Sequence, residues 1–217
     1  MALVALSASY GAAGSRIGPT LAERLGVPFL DRAIPLAVAE RLEVSFDDAA
    51  AHDGQASGSW LERMLSGFIG VDSGVPAPLP ADVFSSDDFR LATEEVLLHQ
   101  ASTGEGVILG RAAVVVLRED PRALRVRLTG PAERRVEQAM RMGGIDRDTA
   151  ERALERLDRT HAEYARQFYG VDLEDLSLYH LVVDSTAIPI EAAVELIAEA
   201  ATQLASTGMA ARFSSSS

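Results

Sequence analysis

Five short apolar runs alternate along the chain with longer segments in which apolar residues recur every three or four positions. The runs are Leu3–Leu6, Pro28–Leu30, Val107–Leu109, Leu124–Leu128 and Leu181–Val183. Their length and near-continuous apolar character predict strands buried on both faces. The segments of helical period are Ser15–Leu25, Ala33–Leu42, Asp87–Ser102, Pro131–Met140, Arg147–Phe168 and Pro189–Leu204. This alternation predicts an α/β fold of three layers, a parallel five-stranded sheet with helices on both faces. Sheets of that kind bind ligands at the carboxyl ends of their strands. The segments that follow the strands are therefore expected to share one rim: Ser7–Gly14, Asp31-Arg32, Gly110-Arg111, Thr129-Gly130 and Asp184–Thr186.

Residues 45–90 break the pattern, being rich in Gly, Ser, Pro and Asp around one or two helical turns near Trp60–Leu65. They read as a mobile insertion within a single domain spanning residues 1–205, serving either as a substrate flap or as tolerated loop length. The serine-rich end, residues 206–217, is expected to be a disordered tail.

The first strand leads through a glycine-containing turn into a helix. A helix start presents unpaired N–H groups and a positive dipole end, so the corner is a ready anion site. It resembles a P-loop without the lysine, since Gly14-Ser15 stands where Gly-Lys-Ser/Thr is usual. The absence is global, because all 20 basic residues are arginine. Phosphate chemistry in this chain must rest on backbone amides, arginine and metal.

The net charge of −12 argues against a nucleic-acid partner. No apolar run approaches the roughly 18 residues of a membrane helix, and residues 1–9 lack the positive charge of a signal peptide. With no cysteine, the chain is expected to work in a reducing cytoplasm. Oligomeric state is left open.

The residues at the expected rim carry competing readings. Gly11, Ala12, Ala13, Gly14 and Ser15 form either a phosphate cradle, the favoured reading, or a plain strand-to-helix turn. Ala13 is costly only if its φ is positive. Ser15 is either a magnesium-side hydroxyl or the helix N-cap. Arg16 either swings over phosphates or, more simply, is a solvated arginine. Asp31 and Arg32 either cap helix 33–42 or contact substrate. Arg111, at the end of an expected central strand, is the strongest arginine candidate. On Arg147–Phe168, Arg152, Arg156, Arg159, Glu163 and Arg166 share one face, and Leu157, His161, Tyr164 and Phe168 another. His161 therefore reads first as a packed histidine. Arg159 is the clamp candidate of that helix, and Asp158 orients either Arg159 or an acceptor hydroxyl. Asp184 starts the last helix or reaches magnesium through water. Arg125 and Arg127 share one face of their strand, which reads as lying near a sheet edge with the arginine stems along its surface.

Five motifs in order resemble the cytidylate kinase-like family, a divergent branch of the nucleoside monophosphate kinases. They are Ser-Ala-Ser-Tyr-Gly-Ala-Ala-Gly-Ser (7–15), Gly-Val-Pro-Phe-Leu-Asp-Arg (26–32), Val-Ile-Leu-Gly-Arg (107–111), Asp-Arg-Thr-His-Ala-Glu-Tyr-Ala-Arg-Gln-Phe-Tyr-Gly (158–170) and Leu-Tyr-His-Leu-Val-Val-Asp-Ser (178–185). The resemblance implies a P-loop kinase-like fold and transfer of the ATP γ-phosphoryl group to a nucleotide, with Mg²⁺ as cofactor. It implies the donor at residues 11–15, the acceptor at Asp31, Arg32 and Arg111, and a lid around Asp158. His161 occupies an acceptor-side position of that motif. The family usually has arginine at positions 8 and 161 and glycine at 13; alanine, histidine and alanine stand there in this chain. Two further readings stay open: a nucleotide-binding regulatory protein with weak or no turnover, and a small-metabolite kinase on the same scaffold.

Overall fold

The computed structural model describes residues 2–30, 94–95, 97–99, 101–110 and 113–214, with side chains described through residue 207. Asp31, Arg32, Arg111, the helix expected at 33–42 and the insertion expected at 45–90 lie outside the described residues. The chain divides into two compact units, Met1–Asp31 with Gln100–Ser217, and Arg32–His99. In the second unit the described residues 94–95 and 97–99 are helical, within the segment expected to be a helix over Asp87–Ser102.

The first unit carries β1 (Leu3–Ala8), α1 (Gly14–Leu25), β2 (Phe29–Leu30), β3 (Gly106–Leu109), α2 (Ala113–Val116), β4 (Ala123–Thr129), α3 (Ala132–Gly143), α4 (Arg147–Tyr169), a 3₁₀ turn at Leu176–Leu178, β5 (Leu181–Asp184) and α5 (Ile190–Ser214). All five expected strands are present and parallel, in the order β2-β3-β1-β4-β5. The short α2 and the 3₁₀ turn have no counterpart in the periodicity, being too brief to show a helical repeat. Helix α5 continues past residue 206 to Ser214.

β1 is central, and residues of both parities in it are buried, from Leu3 to Leu6. Val4 and Leu6 share a core with Ile17 and Leu21 of α1, Val126 and Leu128 of β4, and Val194 and Ile197 of α5. Each fully buried aliphatic side chain contributes about 1.5–3 kcal/mol. Gly18 lets α1 lie on β2, since a Cβ there would fall 2.6 Å from the Phe29 ring. Gly26 ends α1 in the left-handed region, its N–H reaching Ala22 and Glu23 carbonyls. Asp146 caps α4 by accepting from the Thr149 amide at 2.8 Å.

The expectation for Arg127 is corrected. β4 does lie near the sheet edge, next to the edge strand β5, but Arg127 does not lie along the surface: it is buried at 7% exposure. Its guanidinium donates to Ser7 Oγ at 2.9 Å and to Glu174 Oε1 at 2.7 Å, which is how a strand interior holds the charge. Arg125 donates to the carbonyls of Leu178 and Arg118, both at 2.7 Å, and burial lowers its pKa.

Candidate functional site

The turn between β1 and α1 is tied down from three sides. The Ser9 amide donates to the Leu128 carbonyl at 3.0 Å, and the Ala12 amide closes back on Ser9 at 3.1 Å. Ser185, buried just past β5, donates from its hydroxyl to the Ala12 carbonyl at 2.8 Å. Arg135 of α3 donates to the Tyr10 carbonyl at 3.0 Å and to the Gly130 carbonyl at 3.0 Å. Gly11, at φ +76°, lies against the Arg135 carbonyl, and any Cβ would collide with it.

The amides of Gly11, Ala13, Gly14 and Ser15 are left without an acceptor among the described residues. These are the orphan donors of a helix start. No acidic residue occupies the first turn of α1, so its positive end is not compensated from within the helix. The arrangement has the donors of an anion cradle.

Ala13 is the N-cap of α1, in the left-handed region at φ 55° and ψ 21°. The costly branch of its sequence reading therefore applies. Ser15 is not the cap; it is the second helical residue, with its side chain exposed. A Cβ on Gly14 would fall 2.5 Å from the Ala8 Cβ, so position 8 faces the first helical residue.

Asp158 is used differently from either expectation. Its Oδ2 accepts from Arg135 Nη1 at 2.8 Å and its Oδ1 from the Tyr10 amide at 3.4 Å. The carboxylate thus braces α4 to the turn and not to Arg159. Tyr10 also packs against the α3–α4 hairpin core of Val136, Ala139 and Ala150. Burial raises the Tyr10 pKa, and the positive charge of Arg156 opposes that rise.

Most described arginines are paired with carboxylates, as Arg24 is with Glu195 and Arg147 with Glu133. Arg16, Arg156 and Arg159 are exposed and, among the described residues, have no carboxylate partner. Arg16 belongs to the first turn of α1, whose amides are orphaned, whereas the charge of Arg156 is felt at the Tyr10 hydroxyl, on a ring packed against Val136, Ala139 and Ala150. Arg156 was only one of a stripe in the sequence; its proximity to residue 10 depends on how α4 folds back.

His161 is half-buried and borders a cavity of about 320 Å³ with Ser9, Arg127, Thr129, Asp158 and Glu174. Asp184 closes β5 and does not begin the last helix. It accepts from the Thr186 hydroxyl at 2.6 Å and from Arg134 at 2.5 Å; the Thr186 bond holds its carboxyl below the usual range. Among the described residues no three His, Asp or Glu side chains cluster as a metal site. Ser15, exposed on the first turn of α1, offers a hydroxyl oxygen to a phosphate-bound Mg²⁺. That fits a cation which keeps its waters and binds mostly through phosphates. No helix among the described residues is long and apolar enough to cross a membrane.

Arg135 and Ser185 brace the corner in a way the sequence reading does not anticipate. Arg135 hides beside Arg134 in a charged helix start and has no motif signal, whereas Ser185 closes the 178–185 motif and lies in the expected rim segment, but nothing local shows that its hydroxyl reaches the Ala12 carbonyl.

Residues 3–187 match the cytidylate kinase-like family. A cytidylate kinase of Methanopyrus kandleri is 32% identical over 107 residues, 46% of this chain, and the match spans 55% of that protein's length. A cytidylate kinase of Methanocaldococcus jannaschii is 25% identical over 147 residues, 64% of this chain and 83% of that protein. A solved structure of an uncharacterized protein from Eubacterium ventriosum shares the fold. Its TM-score is 0.66 at 16% identity, over 93% of this chain and 98% of that one. With its parallel five-stranded sheet and its lysine-free β1–α1 corner, the chain belongs to the cytidylate kinase-like family.

Proposed function

We propose that this protein is a nucleotide kinase that transfers the γ-phosphoryl group of ATP to a nucleoside monophosphate, cytidylate being the acceptor named for its relatives. The observation that carries the reading is the β1–α1 corner, where four orphan amides gather at a helix start that has no acidic residue in its first turn and carries Arg16 without a carboxylate partner among the described residues. Phosphoryl transfer needs positioning and charge neutralisation more than covalent groups. The amides of Gly11, Ala13, Gly14 and Ser15 hold donor phosphate oxygens by charge-assisted hydrogen bonds. Arg16 and Arg156 supply the positive charge that a P-loop lysine otherwise brings, with Arg159 further along α4 and Arg111 from the acceptor side. Mg²⁺, when bound with the nucleotide, neutralises phosphate charge, and Ser15 is the residue that would hold it. Asp31, Arg32 and His161 are proposed on the acceptor side. No general base is required.

A second reading, nucleotide binding without useful turnover, draws support from Ala8 and His161, which leave two arginine positions of the family empty of charge. It also draws support from Asp158, whose carboxylate is engaged by Arg135 and the Tyr10 amide.

The test is incubation with ATP, Mg²⁺ and a panel of monophosphates, following ADP release, with ATP binding measured in parallel. Turnover with a monophosphate supports the kinase. Saturable ATP binding without turnover supports the second reading. Absence of both discards the nucleotide assignment.

A further inference from the structure

Arg127 lines the 320 Å³ cavity together with Ser9, Arg135 and Asp158, which also hold the β1–α1 turn. Its side chain is 8% exposed, yet only two of its five N–H groups are used: one on Ser7 Oγ and one on Glu174 Oε1. The other three have no acceptor among the described residues. A buried guanidinium with unfilled donors is costly, and acceptor-rich groups relieve that cost.

Its carboxylate partner is of a different kind. The Glu174 side chain is 79% exposed. The backbone around it is anchored, since Tyr179 Oη donates to the Leu173 carbonyl at 2.8 Å and the Glu174 amide donates to Asp172 at 3.1 Å. The carboxylate is therefore a surface group reaching inward, free to swing out without moving the chain. The cavity's other carboxylates are already engaged, Asp158 by Arg135 and Asp172 by Arg166 and the Glu174 amide. Around Arg127 the walls supply the hydroxyls of Ser9 and Thr129, which meet at 3.2 Å, and His161.

We propose that this cavity is a binding site for a small oxyanion of phosphate type, which takes the place of the Glu174 carboxylate on Arg127. Glu174 acts as an internal counter-ion, occupying the guanidinium when no ligand is present. The cavity shares Asp158 and His161 with the proposed kinase site, and the proposal adds Arg127 and Glu174 to that reading, on which it rests for the acceptor side alone.

The test is calorimetric titration of the full chain with inorganic phosphate and, separately, with ribose 5-phosphate. Three proteins are compared: the unaltered chain, Glu174→Gln and, as a control for lost negative charge, the exposed Glu163→Gln. Glu174→Gln is expected to tighten binding of at least one probe by about tenfold or more, the worth of one charge-assisted hydrogen bond, while Glu163→Gln leaves it unchanged. Tightening for inorganic phosphate identifies a free anion as the ligand; tightening for ribose 5-phosphate alone identifies a phosphate monoester. Arg127→Gln, where it folds, is expected to abolish the gain. No difference between Glu174→Gln and the unaltered chain, or an equal gain from Glu163→Gln, overturns the proposal. Phosphate held at the β1–α1 corner is common to all three proteins and cancels. Failure to bind ATP would therefore sink the kinase reading while leaving this comparison intact.

Discussion

Arg135 Nη1 and Asp158 Oδ2 meet at 2.8 Å, joining α3 to α4 directly behind the β1–α1 turn. Arg135 also donates to the Tyr10 and Gly130 carbonyls, and Asp158 also accepts from the Tyr10 amide. One ion pair thus sets the path of the turn and the position of the helix that carries Arg156 and Arg159. Breaking it from the arginine side strands two carbonyls and a carboxylate. Arg135→Met is expected to cost about 3 kcal/mol, the low end for breaking a buried pair, because Asp158 is partly solvated. Asp158→Asn keeps an acceptor for Tyr10 and is expected to cost about 1–2 kcal/mol. Urea denaturation of both single variants and the double variant measures this. Additive losses would show that the pair is not the link.

The pairing pattern of the arginines yields a second expectation. Arg156 is exposed, lies near Tyr10, and has no carboxylate partner among the described residues. Arg156→Ala is expected to weaken ATP binding roughly tenfold, the worth of one charge-assisted hydrogen bond at a solvated site. Melting temperature should barely move. The contrast with the unaltered chain should shrink as salt is raised, since screening weakens an exposed charge contact. Unchanged ATP affinity would remove Arg156 from the phosphate site.

Ala13 shows how a left-handed alanine can persist at a helix cap. Its strain is about 1–2 kcal/mol. Against that, its methyl is buried at 4% exposure in the main core, worth about 0.8 kcal/mol. Glycine would also raise the entropy of the unfolded chain, at about 0.4–1 kcal/mol. These terms nearly cancel. Ala13→Gly is therefore expected to shift Tm by less than about 2 °C in a chain of this size. A larger gain, read by thermal denaturation, would mean the strain dominates.

How far the sequence carried the structure follows from which forces leave a periodic trace. The five strands were readable because runs such as Leu3–Leu6 are buried on both faces, and burial is what apolar runs record. The corner was readable because a strand, a glycine turn and an amphipathic helix follow one another in the chain. The bracing of that corner was not. Arg135, Asp158 and Ser185 reach it from positions 120 or more residues away, and a long-range hydrogen bond imposes no local pattern. Arg127 was misread for a related reason. An arginine in a strand usually signals an exposed face, and here Ser7 and Glu174 reverse that by meeting its charge inside.

The cap of α4 supplies a pH-dependent expectation. Asp146 accepts from the Thr149 amide and hydroxyl, and these bonds hold its carboxyl below the usual range, the amide bond foremost. A carboxyl depressed in the folded state adds stability that is fully present above its unfolded value of about 3.9. That stability is lost as pH falls through the lower folded value. Asp146→Ala should therefore lower Tm at pH 7, and the gap to the unaltered chain should close below about pH 4. A gap that stays constant down to pH 3 would place the loss elsewhere.

The two uncharged positions of the family pattern give the final expectation. Ala8 faces Gly14 at the start of α1, and His161 borders the cavity beside Asp158. Arginine at either place adds a donor near the groups proposed to carry charge during phosphoryl transfer. Removing one such donor from an enzyme typically slows it by about 10²–10³. If these two absences limit the reaction, Ala8→Arg combined with His161→Arg should raise kcat by roughly tenfold or more. The single variants should fall between, because the two positions lie on β1 and α4 and neutralise charge independently. Position 8 is half-buried, so the variant must first be shown to keep its Tm. A folded double variant with unchanged kcat would mean that turnover is not limited by these arginines. The orphan amides with Arg16 and Arg156 would then be sufficient for whatever transfer the protein performs.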